Sequence, residues 1–174
     1  FKRHHRGHDE ERHHRQSSKL IYQYVSHSPN VRAMTYEHDE EWVTFFKKSL
    51  PNTITPNIIH TELFKTTYKG EDTLSYKSNC EELKREKFDL ILVDGPYGSE
   101  HYSRSQILNI VPDCLKEHFV IIIDDAQRNG ESETISELLK ILDNHQIKYA
   151  CRTITTNRSF FTVFSQDVRF ITTI

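Results

Sequence analysis

Two spacings of apolar residues alternate along the chain. Leu20, Ile21, Tyr24 and Val25 recur at helical intervals and predict a helix over 17–27, capped by Ser17 or Ser18 and stopped by Pro29-Asn30. The run VRAMTYE, Val31 to Glu37, reads as a strand. Asp39 then has the character of an N-cap, with Glu40 and Glu41 in the first turn, where the helix dipole favours acids. Trp42, Phe45, Phe46 and Leu50 form the apolar stripe of that helix, and Pro51 closes it. NIIHTEL, 57–63, is a short strand; 64–79 is polar and weakly patterned, which predicts a long loop before a short helix over 80–86.

The remainder is more strongly patterned. FDLILV, Phe88 to Val93, is a strand, followed by a helix over 103–111 ended by Pro112. FVIII, Phe119 to Ile123, is continuously apolar and β-branched, as a strand buried on both faces requires. Beyond Gly130 comes a helix that Ser132 can cap, with Ile135, Leu138, Leu139 and Leu142 on one face. Ile147 to Thr155 and Ser159 to Ser165 are strands flanking the turn Thr156-Asn157-Arg158. Alternation of helices and strands predicts an α/β fold: a Rossmann-like, doubly wound, mostly parallel sheet with a C-terminal antiparallel hairpin. With no internal repeat or linker, 17–174 reads as a single domain behind an arm at 1–16.

Composition narrows this picture. A chain of 174 residues with 36% hydrophobic content can bury about 70% of its unfolded surface in one core. The net charge of −2 gives no global basicity toward nucleic acid. Phe1 to Arg15 nonetheless carries five histidines and five lysines or arginines, a pH-dependent basic arm that includes His4 and His8. No apolar run approaches the roughly 18 residues of a membrane span. Cys80, Cys114 and Cys151 are far apart and lack CxxC spacing, which predicts reduced thiols, a cytoplasmic setting and no zinc site.

The candidate chemistry lies where strands end. Parallel α/β sheets bind ligands outside the carboxyl ends of their strands, and Glu37, Asp94 and the pair Asp124/Asp125 fall at such ends. Neighbouring strands would bring Asp94 and Asp124 to about 4.8 Å spacing, where carboxylates need protons, hydrogen-bond donors or a cation such as Mg²⁺. An acid after a strand also commonly caps the next turn. Gly95 would let the backbone approach a ligand, Pro96 directs the chain away from the sheet, and His101, Tyr102 and Arg104 are polar groups placed to meet a substrate.

The ordered set TYEHDEEW, FDLILVDGPYG and HFVIIIDDAQ, with the terminal hairpin, resembles class I S-adenosylmethionine-dependent methyltransferases, most closely their small O-methyltransferase-like branch. That resemblance implies O-methyl transfer to a hydroxyl of a small molecule or sugar. It implies cofactor contacts from Glu37 (to the ribose), His38, Asp94, Gly95 and Pro96. It also implies a metal set of Asp94, Asp124 and Asp125 as in members resembling catechol O-methyltransferase. With or without that metal these catalytic aspartates would orient and acidify the acceptor hydroxyl, and His101 is the alternative catalytic base. The usual third metal ligand in those members is Asn and not Asp. The family's glycine-rich loop would lie just before Ser17, where GHDEERHHRQ has Gly7 alone, so 1–16 is either a basic arm or the remnant of that loop. A methyltransferase fold serving only as a binding or scaffolding module is the competing expectation.

The rivals lack their own motifs. A nucleoside triphosphatase needs GxxxxGK[ST] and a nicotinamide dehydrogenase GxGxxG, and neither is present. A receiver domain would need its acid pair before the phosphoacceptor strand. The open edge of the last hairpin and the apolar Phe170-Ile171 could pair with another copy of the chain.

Overall fold

The computed structural model describes residues 16–173. The glycine-poor loop and the basic arm with His4 and His8 therefore lie outside the described residues, apart from Gln16. The chain divides into two compact units, with the division along the sequence between Thr61 and Glu62. Among the described residues no helix is long and apolar enough to cross a membrane.

In the first unit, α1 (Gln16–Ser26), β1 (Thr35–Glu37), α2 (Glu40–Ser49) and β2 (Ile58–His60) follow in order, with β1 and β2 parallel in the register Glu37↔His60. Ser17 and Ser18 lie inside α1 and not at its cap, and the strand expected from Val31 begins only at Thr35. Asp39 caps α2 as expected, its Oδ1 accepting from the Trp42 N–H at 3.0 Å. The core joins Tyr22, Phe46 and Leu50, with Trp42 stacked on Phe46 at 4.9 Å. The buried Tyr22 hydroxyl donates to the Asn57 carbonyl at 2.8 Å, so no polar atom is stranded there. Phe45 is not part of this stripe; it is 48% exposed, because Val43 takes the inward position on that side of α2.

The second unit opens with a feature that departs from the expected loop. β3 (Leu63–Tyr68) and β4 (Glu71–Tyr76) form an antiparallel hairpin. Lys69 and Gly70 turn it with φ of +53° and +89°, the mirror-image turn whose twist matches the flanking strands. α3 (Cys80–Arg85) follows, capped by Asn79. Then come β5 (Phe88–Val93), a 3-10 helix (Ser105–Asn109), β6 (Leu115–Ile123), α4 (Asn129–Asn144), β7 (Tyr149–Thr155), β8 (Ser159–Ser165) and a second 3-10 segment (Gln166–Thr173).

β5, β6, β8 and β7 form one sheet in that order; β5–β6 is parallel and the other two pairings are antiparallel. The α/β class and the C-terminal hairpin are as expected. The single, mostly parallel sheet is not: the described strands form three small sheets, because β3 and β4 pair with each other and each parallel pair has only two members. The helix expected over 103–111 is replaced by the short 3-10 helix, since Arg104 sits in the left-handed region at φ +59° and interrupts helical geometry. Ile121, Ile123 and Val163 in the sheet and Leu138 and Leu142 on α4 are fully buried. Ser132 lies within the first turn of α4, which begins at Asn129 with no side-chain cap.

Candidate functional site

β5 and β6 pair in the register Val93↔Ile123, so the residues just beyond them, Asp94 and Asp124, come to adjacent strand ends. The Asp124 N–H donates to the Val93 carbonyl at 3.1 Å and extends the ladder by one bond. Burial raises the Asp94 carboxyl to about 7. A hydrogen bond with Asp124 and the charges of Asp124 and Asp125 act in the same direction, against a smaller opposing pull from Arg104. Asp94 thus exchanges a proton near neutral pH.

Arg104 organises this rim. Sequence placed it toward a substrate; instead it is 4% exposed and turned inward. Its Nη1 donates to the Asp124 carbonyl at 2.8 Å and reaches the Val93 carbonyl at 3.4 Å; its Nε reaches the Pro96 carbonyl at 3.4 Å. Nη2 pairs with Asp125 Oδ2 at 3.1 Å. One guanidinium therefore fixes both strand ends and the loop between them, which its planar array of five donors allows.

Asp125 has φ +58°, a conformation that lets its carboxylate turn inward toward Arg104. The same Oδ2 pairs with Arg128 at 2.9 Å. Fully buried Glu131 extends the cluster, its Oε1 accepting from the Ser103 hydroxyl at 2.9 Å and lying 3.6 Å from Arg104 Nε. Arg158 Nη1 stands 3.9 Å from Asp124 and 4.0 Å from Asp125. A divalent cation does not fit the expected set of Asp94, Asp124 and Asp125. Asp125 is already neutralised by two arginines and three guanidinium groups face the cluster. Among the described residues no group of three His, Cys, Asp or Glu side chains is placed to hold a metal.

The remaining expected residues separate into three settings. Gly95 does not hold an open space for a ligand: a Cβ there would stand within contact distance of the Tyr76 hydroxyl, which fills the notch. Pro96 is buried and serves through its carbonyl. His101 stands on the loop after β5, its Nδ1 bonded to both oxygens of Glu133 at 3.0 and 3.2 Å. In the first unit, Glu37 Oε1 accepts from the N–H groups of His38 (2.7 Å) and Asp39 (2.9 Å), while Oε2 takes no hydrogen bond among the described residues. The His38 carbonyl meets His60 Nε2 at 3.1 Å.

Arg104, Glu131, Tyr76 and Glu133 were not assigned these roles from sequence. Sequence alone sets Arg104 to meet a substrate and gives Glu131 no role, since nothing in local spacing marks an ion pair that forms only when β5, β6 and α4 come together. Tyr76 was hidden with its hairpin.

No protein-family model and no curated protein matches the chain. Among solved structures it is similar to the crystal structure of a Staphylococcus aureus protein provisionally named a caffeoyl-CoA O-methyltransferase. The two share 13% identity over 82% of this chain and 68% of that one, with a TM-score of 0.50. The likeness is one of fold. The chain shares an α/β architecture with that protein, and the rim at Asp94 and Asp124 lies at strand ends, where parallel α/β sheets bind ligands.

Proposed function

We propose that the protein is an S-adenosylmethionine-dependent methyltransferase acting on a hydroxyl of a small molecule or sugar. The observation that carries this reading is Asp94, held at about 7 beside Asp124 at the ends of the parallel pair β5–β6. The cofactor supplies a methyl group on an electron-poor sulfur. Ionised Asp94 accepts the hydrogen bond of the acceptor hydroxyl, orients its oxygen and lowers the cost of removing its proton; most of the rate then comes from positioning. Asp124 tunes Asp94, and Arg104 holds the two at fixed separation. In the first unit, Glu37 Oε2 is the oxygen that suits a ribose diol. His38 would contribute through its backbone beside it. Gly95 and Pro96 would serve the second unit's rim itself, Gly95 by admitting the Tyr76 hydroxyl and Pro96 through its carbonyl to Arg104 Nε.

Titration calorimetry of S-adenosylmethionine and S-adenosylhomocysteine into the folded chain tests the reading. Micromolar binding, weakened roughly tenfold by Glu37→Ala as expected for one lost hydrogen-bonding group, supports it. Asp94→Ala should bind the cofactor and transfer no methyl group. A folded chain that binds neither compound would instead favour the binding or scaffolding module, for which the buried Arg104–Asp125–Glu131 cluster is a sufficient structural frame.

A further inference from the structure

The solvent side of the acid rim carries two arginines that come from different elements. Arg128 immediately precedes α4, and Arg158 sits in the turn between β7 and β8. The two segments are stitched together at buried Ser159. Its carbonyl accepts from the Ala126 N–H at 2.8 Å, and its own N–H donates to Gln127 Oε1 at 2.9 Å. The loop after β5 also seats Arg128, since a Cβ on Gly98 would stand 3.3 Å from Arg128 Nη1. Both guanidiniums flank one carboxylate: Arg128 Nη1 lies 2.9 Å from Asp125 Oδ2, and Arg158 Nη1 lies 4.0 Å from Asp125 Oδ1.

Charge is layered at this place. The side chains of Asp124, Asp125 and Glu131 are 7%, 3% and 0% exposed, whereas those of Arg128 and Arg158 are 50% and 30% exposed. With Arg104, three guanidiniums match three carboxylates in number, so position decides the outward field, and the cations stand nearer to solvent. Arg104, which braces the acids from within, is 4% exposed. Arg128 meets the acids through Nη1, and among the described residues its Nε and Nη2 have no hydrogen-bond or ion-pair partner. The outer pair therefore keeps donor faces in water that neutralising the acids does not require.

We propose that Arg128 and Arg158 recognise an oxyanion carried by the methyl acceptor, a carboxylate or a phosphate a few atoms from its reacting hydroxyl. This rests on the methyl-transfer reading and deepens it by naming the substrate class. The placement follows from contacts. Asp94, which takes the hydroxyl in that reading, is hydrogen-bonded to Asp124, and Asp124 Oδ2 lies 3.9 Å from Arg158 Nη1. A group held by Arg158 is thus one carboxylate away from a hydroxyl on Asp94. Planar guanidiniums present paired N–H donors that match two oxygens of such a group. The stitch at Ser159 fixes the spacing of the two arginines beforehand, so binding has little ordering left to offset.

Titration calorimetry on the full chain, with and without S-adenosylhomocysteine, tests this with three probes: glucuronate, glucose 6-phosphate and the neutral methyl α-D-glucopyranoside. At least one anion should bind about tenfold or more tightly than the neutral sugar, and Arg128→Gln and Arg158→Gln should each weaken it about tenfold. Arg158→Lys keeps the charge without the paired donors and should fall between. Carbon NMR of the Asp94 carboxyl should shift on adding the anion, which locates it at the rim. Tighter glucuronate assigns the oxyanion as a carboxylate, and tighter glucose 6-phosphate as a phosphate. Equal binding of all three probes, or anion binding unchanged in the folded glutamine variants, would overturn the proposal; S-adenosylhomocysteine binding in the same chain would leave methyl transfer standing. Anion binding in a chain that binds no S-adenosylhomocysteine would overturn the acceptor role together with the methyl-transfer reading.

Discussion

Replacing Arg104 by methionine tests whether one guanidinium holds the rim together. Methionine is close in length, so the change removes donors and charge more than volume. Lost would be the bonds to the carbonyls of Asp124, Val93 and Pro96 and the ion pair with Asp125. Asp125 would keep Arg128 as its close partner, and fully buried Glu131 would keep the Ser103 hydroxyl at 2.9 Å and Arg128 at 3.8 Å. Breaking one partner out of a buried pair costs about 3–5 kcal/mol, because the other charge stays buried. Against a total of about 5–15 kcal/mol, that is at least about a fifth of the stability of a typical domain.

Urea denaturation at pH 7 measures the loss as a fall in the midpoint at unchanged slope. Carboxyl NMR measures the second consequence. Arg104 lowers the Asp94 carboxyl, so its removal should carry Asp94 above about 7. Arg104→Lys keeps the charge, yet one ammonium cannot reach three carbonyls and a carboxylate, so its stability loss should fall between wild type and Arg104→Met. A loss below about 1 kcal/mol in Arg104→Met, together with an unmoved Asp94 titration, would refute the clamp.

Asp94→Asn should stabilise the fold at pH 8. A carboxyl whose folded value is raised to about 7 binds its proton more tightly in the folded state, so stability falls as pH rises from about 4 to about 7. The variant should remove that slope, gaining roughly 1–2 kcal/mol at pH 8 in urea melts, and a slope of opposite sign would contradict the burial of Asp94. Gly95→Ala should cost about 1–3 kcal/mol by displacing the Tyr76 hydroxyl. Adding Tyr76→Phe should recover most of that, since the ring carbon behind the hydroxyl lies 3.4 Å from the new Cβ; additive losses in the double-mutant cycle would show that the two do not meet. Gly70→Ala should cost about 1 kcal/mol from φ +89° alone, because nothing lies within 4 Å of the added carbon, and thermal melts would register it as a drop of a few degrees.

What the sequence disclosed follows from the range of the forces involved. β5, β6, α4, β7 and β8 were legible because each has its own apolar period, and Asp39 because a cap acts within four residues. The β3–β4 hairpin was not, since its ribbon alternates charged and apolar positions only weakly. Its Lys69-Gly70 turn also lacks the Asn or Asp that usually announces a mirror-image turn. Phe45 misled for a related reason: helical spacing finds an apolar stripe but not its edge, and Val43 took the inward place.

The acids show the same limit more sharply. Asp94, Asp124 and Asp125 are equivalent by position, all just past an apolar strand, and position alone suggested one shared cation. Their partners make them different. Asp125 turns at φ +58° onto Arg104 and Arg128 and becomes part of the frame. Asp124 accepts the Asp125 N–H at 2.7 Å on one oxygen, with its carbonyl held by Arg104. Asp94 is the member for which burial outweighs the pull of Arg104, and so it is the one brought to about 7. Three carboxylates in one cluster thus divide into a structural anchor, a strand-end neighbour held through its carbonyl, and one whose carboxyl is raised by burial. That division depends on arginines which no local pattern ties to them.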